Sequence, residues 1–144
     1  TGLITEVAKA SGIQSVVGSI DYKKSLFKGI RVYDHAKGKT TNKDVLEHAK
    51  TLVDAGVGEI IINCVDRDGT MVGYDVEFVT SFASKISVPV VVAGGGGSLT
   101  HVRELLESKQ VSAAAAGSML VFHDAYKEAV FKYLNQLKIR FIYE

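Results

Sequence analysis

Gly94-Gly95-Gly96-Gly97-Ser98 follows an apolar run and opens a helical pattern, and Gly117-Ser118 repeats the device one unit later. Backbone without side chains lets several amide N–H groups converge on one anion, and the helix N-terminus beyond it favours negative charge. The alternative is that these glycines only permit tight turns. Asp21 directly follows Ile20 at the end of another apolar run, where a carboxylate can shuttle protons. An aspartate in such a place can also be a cap or a ligand to backbone amides. Asp66-Arg67-Asp68-Gly69-Thr70 follows a third run. Asp68, before Gly69, is suited to sugar hydroxyls, while Asp66 and Arg67 can pair with each other as a loop brace. Asn63 offers an amide from the strand end, either to a ligand or as a satisfied polar group at the rim.

Several other chemistries are excluded. A dinucleotide fingerprint counted from Gly94 would need a sixth-position glycine and finds Leu99; a P-loop ending at Gly38-Lys39-Thr40 finds Tyr33 where its first glycine belongs. No cofactor motif remains. His35, His48, His101 and His123 lack ligand spacing, so no metal site is expected. Cys64 reads as a small core residue, since no nearby basic group activates it as a nucleophile.

The elements that position these residues alternate. Residues 15–20, 59–64, 88–93 and 111–116 are near-continuous apolar runs, expected of parallel strands covered on both faces. Between them lie helical stripes. Leu3, Val7 and Ala10 share one face of a short first helix that stops at Gly12. Asn42 is expected to cap a helix through Ala55, with Val45, Leu46, Ala49, Leu52 and Val53 inward and Gly56 ending it. Asp75 starts a third helix around Phe78, Val79 and Phe82. Ser98 caps a fourth around Val102, Leu105 and Leu106. A last helix is expected from about Asp124 to Leu137, followed by an apolar tail from Ile139 to Tyr143. The weak alternation of residues 27–33 and the turn at 36–39 predict a β-hairpin excursion after the first strand. The fold class is therefore α/β, a helix followed by (βα)4. The two adjacent glycine turns would match the phosphate site that barrel enzymes build after their last two strands.

Composition narrows the function classes. The chain has 144 residues, enough for a single domain, with 47% apolar and 23% charged residues. A net charge of +1 gives no electrostatic case for nucleic acid or an anionic membrane surface. No apolar run reaches the roughly 20 residues of a membrane span, and no signal-peptide plan opens the chain. One cysteine precludes an internal disulfide and fits a cytoplasmic location.

Gly58-Glu59-Ile60-Ile61-Ile62-Asn63, then Val65-Asp66-Arg67-Asp68-Gly69-Thr70 with Gly73-Tyr74-Asp75, resembles the sixth strand and loop of the cyclase subunit of imidazole glycerol phosphate synthase. Gly18-Ser19-Ile20-Asp21, the loop from Pro89 to Ser98, and Ala115-Ala116-Gly117-Ser118 resemble its fifth, seventh and eighth strand ends in order. The resemblance covers nearly the whole chain but only the C-terminal half of that family's (βα)8 barrel. Thr1 falls where the fourth helix would begin, so the chain is expected to be one half-barrel domain over residues 1–144.

The resemblance implies a lyase and cyclase of histidine biosynthesis. It takes ammonia from a glutaminase partner and closes the imidazole ring of a phosphorylated ribonucleotide. Asp21 matches one of two catalytic aspartates, the other lying in the missing N-terminal half. Gly95, Gly96, Gly117 and Ser118 match a phosphate site, Asn63, Asp68 and Gly69 match substrate contacts, and Glu59 matches a charged ammonia gate at the strand bottom. As a structural alternative, Glu59 is an ordinary strand-start charge. Asn63 in place of the usual threonine, Ala93 in place of serine, and the absence of a Thr-Gly pair at residues 41–44 are similar to a paralogous group. Those glycosyl amidation-associated proteins are implied to amidate a sugar carboxylate in surface-polysaccharide synthesis. A contrasting possibility is a non-catalytic module that docks a glutaminase. Four βα units cannot close a barrel, so the isolated chain is expected to self-associate, most simply as a homodimer, and to lack synthase turnover.

Overall fold

The computed structural model describes residues 1–25, 28–122, 132 and 136. The expected last helix and apolar tail lie outside the described residues, apart from Lys132 and Gln136. Six strands form one sheet among the described residues: β1 (Val17–Ser25), β2 (Gly29–Asp34), β3 (Lys39–Asp44), β4 (Glu59–Cys64), β5 (Val90–Ala93) and β6 (Ala113–Ala114), in the order β3-β2-β1-β4-β5-β6. The four strands β1, β4, β5 and β6 are parallel, while β1, β2 and β3 run antiparallel as a meander. Helices α1 (Gly2–Ser11), α2 (Val45–Asp54), α3 (Val76–Ala83), α4 (Leu99–Glu107) and the short α5 (Ser118–Phe122) fill the connections. This is the (βα)4 wall of a TIM-type barrel with a hairpin excursion after its first strand.

The expectation of strands covered on both faces is corrected. Burial alternates: Ile20, Tyr22, Ile60, Ile62, Cys64, Val90 and Val92 are buried against Val45, Ala49, Val79, Phe82, Val102 and Leu105 of the helices. Fully burying one such aliphatic side chain stabilises by about 1.5–3 kcal/mol. The intervening side chains of Val17, Ser19, Asp21, Glu59, Ile61, Asn63, Val91, Ala93 and Ala113 face the other way, and no described residue buries that face. An apolar run cannot distinguish a strand sandwiched between helix layers from one whose second face lines a barrel interior. The hairpin excursion joins the same sheet, because β2 pairs with the C-terminal half of β1, from Tyr22 to Ser25.

Two helices depart from the sequence reading. Asn42 does not cap α2. It lies in β3, where its Oδ1 accepts a 2.6 Å bond from Lys28 Nζ. Asp44 caps instead, with Oδ1 accepting from the amides of Leu46 and Glu47 at 2.9 and 3.2 Å, and a carboxylate at that end also suits the helix dipole. In α1 the buried residue is Ala8; Leu3 and Val7 are exposed. Ser98 caps α4 as expected, its Oγ accepting from the His101 amide.

Candidate functional site

Strand register builds the site's floor. Asp21 lies opposite Asn63, and Asn63 opposite Ala93, so one row of side chains crosses the uncovered face at the C-terminal ends of three parallel strands. Side chains in register on parallel neighbours share a face. Asn63 Nδ2 donates to Asp21 Oδ1 at 2.8 Å. On its other side, a Cβ placed on Gly94 would lie 2.8 Å from Asn63 Oδ1. Asn63 therefore touches both the rim carboxylate and the first glycine turn.

That turn is shaped by close approach. Gly94 and Gly95 have φ of 86° and 103°, a region that side chains disfavour. A Cβ on Gly95 would run into the Gly73 carbonyl, and the Gly73 amide donates to Gly95 O at 2.8 Å. A Cβ on Gly96 would strike the Tyr74 hydroxyl. That hydroxyl donates to Ala115 O at 2.9 Å, on the stretch leading into Gly117. Burial pushes the Tyr74 phenol up to about 12, so it remains a neutral donor. One tyrosine thus links the two glycine turns. Gly117 has open space around it and its carbonyl accepts from Leu120 and Val121, while Ser118 is the first residue of α5.

The loop after β4 is braced differently from the sequence reading. Asp66 and Arg67 do not pair. Asp66 accepts the Lys24 amide at 2.8 Å and lies 3.5 Å from Lys23 Nζ, tying the loop to β1. Arg67 reaches forward and donates to the carbonyls of Gly73 and Tyr74 at 3.1 and 3.3 Å, holding the loop against the glycine turn. Asp68 and Gly69 stand exposed at the loop tip, and among the described residues the Asp68 carboxylate has no partner. Glu59, half-buried opposite Val17, sits four residues below Asn63, about 13 Å along the strand. The structure therefore gathers Asp21, Asn63, Gly95, Gly96 and the stretch before Gly117 at one rim, with Asp68 and Gly69 exposed in the loop that follows β4 and Glu59 at the far end.

Two histidines that carry no ligand spacing enter this rim. His35, on the turn between β2 and β3, brings Nε2 to 3.5 Å from Asp21 Oδ2 and packs edge-on against Tyr33. His101 Nδ1 accepts the Gly97 amide at 3.3 Å. Neither contact has a sequence signal, because each depends on how a loop folds back over the strand ends. Burial pushes the Cys64 thiol up, consistent with an inert core residue.

Residues 1–126 match the model of a family described as histidine biosynthesis protein. The chain is 41% identical over 139 residues to a putative imidazole glycerol phosphate synthase subunit hisF2 of Pseudomonas aeruginosa, covering 95% of this chain and 55% of that protein. It is 38% identical over 134 residues to a putative subunit HisF of Leptospira borgpetersenii, covering 92% of this chain and 53% of that one. An imidazole glycerol phosphate synthase subunit HisF of Leuconostoc mesenteroides is 43% identical over 122 residues, covering 84% and 47%. The chain spans about half the length of these curated relatives. A parallel βα wall with its polar row and glycine turns at one rim, and a family model matching most of its length, make this chain a member of the histidine biosynthesis protein family.

Proposed function

We propose that this chain is the C-terminal half-barrel, strands five to eight, of the cyclase subunit of imidazole glycerol phosphate synthase. Asp21 is its proton-transferring carboxylate, and the amides around Gly95, Gly96, Gly117 and Ser118 receive a substrate phosphate. Asn63, Asp68 and Gly69 contact the ribonucleotide, and Glu59 gates ammonia at the opposite strand end. The observation that carries this reading is the single rim on which Asp21, Asn63 and the first glycine turn touch in sequence. A carboxylate beside an anion-binding turn can hold a phosphorylated substrate while moving its protons. A glutaminase subunit supplies the ammonia in the cytoplasm, the other catalytic carboxylate belongs to the other half-barrel, and the isolated chain has no turnover.

The test is Asp21→Asn in the full-length gene product that contains this chain, assayed with ammonium salt and with the glutaminase. Loss of about 10²- to 10⁴-fold in ring closure, with partner binding retained, is expected. Unchanged ring closure would remove Asp21 from the proton-transferring role, and partner binding with no ring closure by the parent protein would make it a docking module.

A second reading, amidation of a sugar carboxylate, is favoured by one observation: Asn63 and Ala93 stand where the ring-closing family has threonine and serine, and Asn63 engages Asp21 directly. Turnover of a uronic-acid sugar but not of the ribonucleotide would select it.

A further inference from the structure

Asp21 is held from two sides by groups of different character. On Oδ1 sits the Asn63 amide, a neutral donor fixed in β4. On Oδ2, at 3.5 Å, sits His35 Nε2, which arrives on the hairpin turn rather than on the barrel wall. The imidazole is itself placed by stacking. Tyr33 meets it edge-on with centroids 4.8 Å apart, and Lys23 Nζ lies 5.6 Å from the Tyr33 ring centre. Of the other charged groups on these elements, Lys23 pairs with Asp66, Arg31 with Asp44 at 3.2 Å and Asp34 with Lys37 at 3.0 Å, while Lys24 lies beyond Asp21 toward the end of β1 and Glu59 at the opposite end of β4. Among the described residues, His35 is the titratable group that faces the Asp21 carboxylate.

We infer that His35 is a positioning residue for Asp21, its imidazole fixing the Oδ2 side of the carboxylate while Asn63 fixes Oδ1. The hairpin is then more than an excursion, because it carries the group that sets the carboxylate's orientation and local charge. This inference rests on the proposed role of Asp21 as the proton-transferring group. A carboxylate bonded at Oδ1 and flanked at Oδ2 is narrowed in the orientation it presents to substrate, and a misplacement of about 1 Å at a reacting group can cost up to 10²-fold in rate.

The coupling can be read without turnover, on the chain itself. The Asn63 Nδ2 amide signals in a ¹⁵N NMR spectrum report on the shared carboxylate. Titrating from about pH 8 to pH 5 protonates imidazole. We expect the Asn63 amide signals to move together with the His35 ring signals in the parent, to stop following them in Asp21→Asn, and to lose that pH response in His35→Gln. Asn63 signals indifferent to His35 titration, or equally responsive in Asp21→Asn, would overturn the inference. In the full-length protein, His35→Ala should lower kcat by about tenfold with KM little changed. His35→Gln, which keeps a donor, should recover most of kcat. A His35→Ala enzyme with wild-type kcat, beside an inactive Asp21→Asn enzyme, would sink the inference and leave the functional reading standing. An active Asp21→Asn enzyme would sink both.

Discussion

Asn63 Nδ2 lies 2.8 Å from Asp21 Oδ1, and the register of β1 against β4 places the two residues directly opposite. The bond is therefore set by the sheet and not by a flexible loop. Replacing Asn63 by Ala removes a donor to a half-exposed carboxylate, which solvent can replace. Stability should fall by no more than about 1 kcal/mol, while kcat should fall about tenfold through loss of orientation. Denaturant melts and steady-state kinetics on the same variant separate the two effects.

Gly96 and Gly117 should respond in opposite ways to one methyl group. Gly96→Ala drives a Cβ into the buried Tyr74 hydroxyl, whereas nothing lies within 4 Å of a Cβ on Gly117. The first substitution should cost about 1–3 kcal/mol, the second less than about 0.5 kcal/mol. Equal melting midpoints for the two variants would contradict the packing described for the glycine turn.

Tyr74→Phe isolates the link between the turns. It keeps the ring and deletes the donor to Ala115 O. No more than about 1 kcal/mol of stability should be lost, because Ala115 is exposed and water can take the hydroxyl's place at its carbonyl. Affinity for inorganic phosphate, measured by calorimetry, should fall as the two turns lose their fixed separation.

Burial holds the His48 imidazole below the usual histidine range, with Lys43 adding to the effect. The unfolded chain then binds this proton more readily than the folded one. The contribution is fully present above about pH 6.5 and is lost as pH falls below that value. Urea midpoints measured at pH 7.5 and pH 5.5 should converge in His48→Gln relative to the parent, since the variant removes one proton uptake on unfolding.

The uncovered sheet face, with Val17, Ile61 and Val91 along it, should drive the isolated chain into homodimers. Light scattering across a dilution series should give twice the monomer mass, and Ile61→Lys should shift it toward monomer. A single monomeric species at high concentration would argue against this.

Much of the wall was legible because periodicity reports burial. Leu46, Ala49, Leu52 and Val53 repeat at helical spacing, and the short Ile60–Ile62 run reads as a strand, though not as one with an open face. Gly94–Gly97 between an apolar run and Ser98 announced a turn into a helix. What escaped depended on distance through space. Asn42 looked like a cap until the hairpin's third strand absorbed it and left Asp44 at the helix start. Asp66 and Arg67, adjacent in sequence, turned to opposite neighbours because β1 supplied an amide to one and Gly73 and Tyr74 supplied carbonyls to the other. His35 is 14 residues from Asp21, and only the antiparallel return of β2 brings it back.

The one-sided coverage of the sheet has a consequence for how such a barrel comes into being. Among the described residues the helical coat is seated on one side of β1, β4 and β5, and nothing buries the other side. Closure then needs no rearrangement of the coat, only the drying of Val17, Ile61 and Val91 against an opposing set of strands. If this half meets another, as proposed, two pre-shaped shells can join along a lumen without either coat being rebuilt.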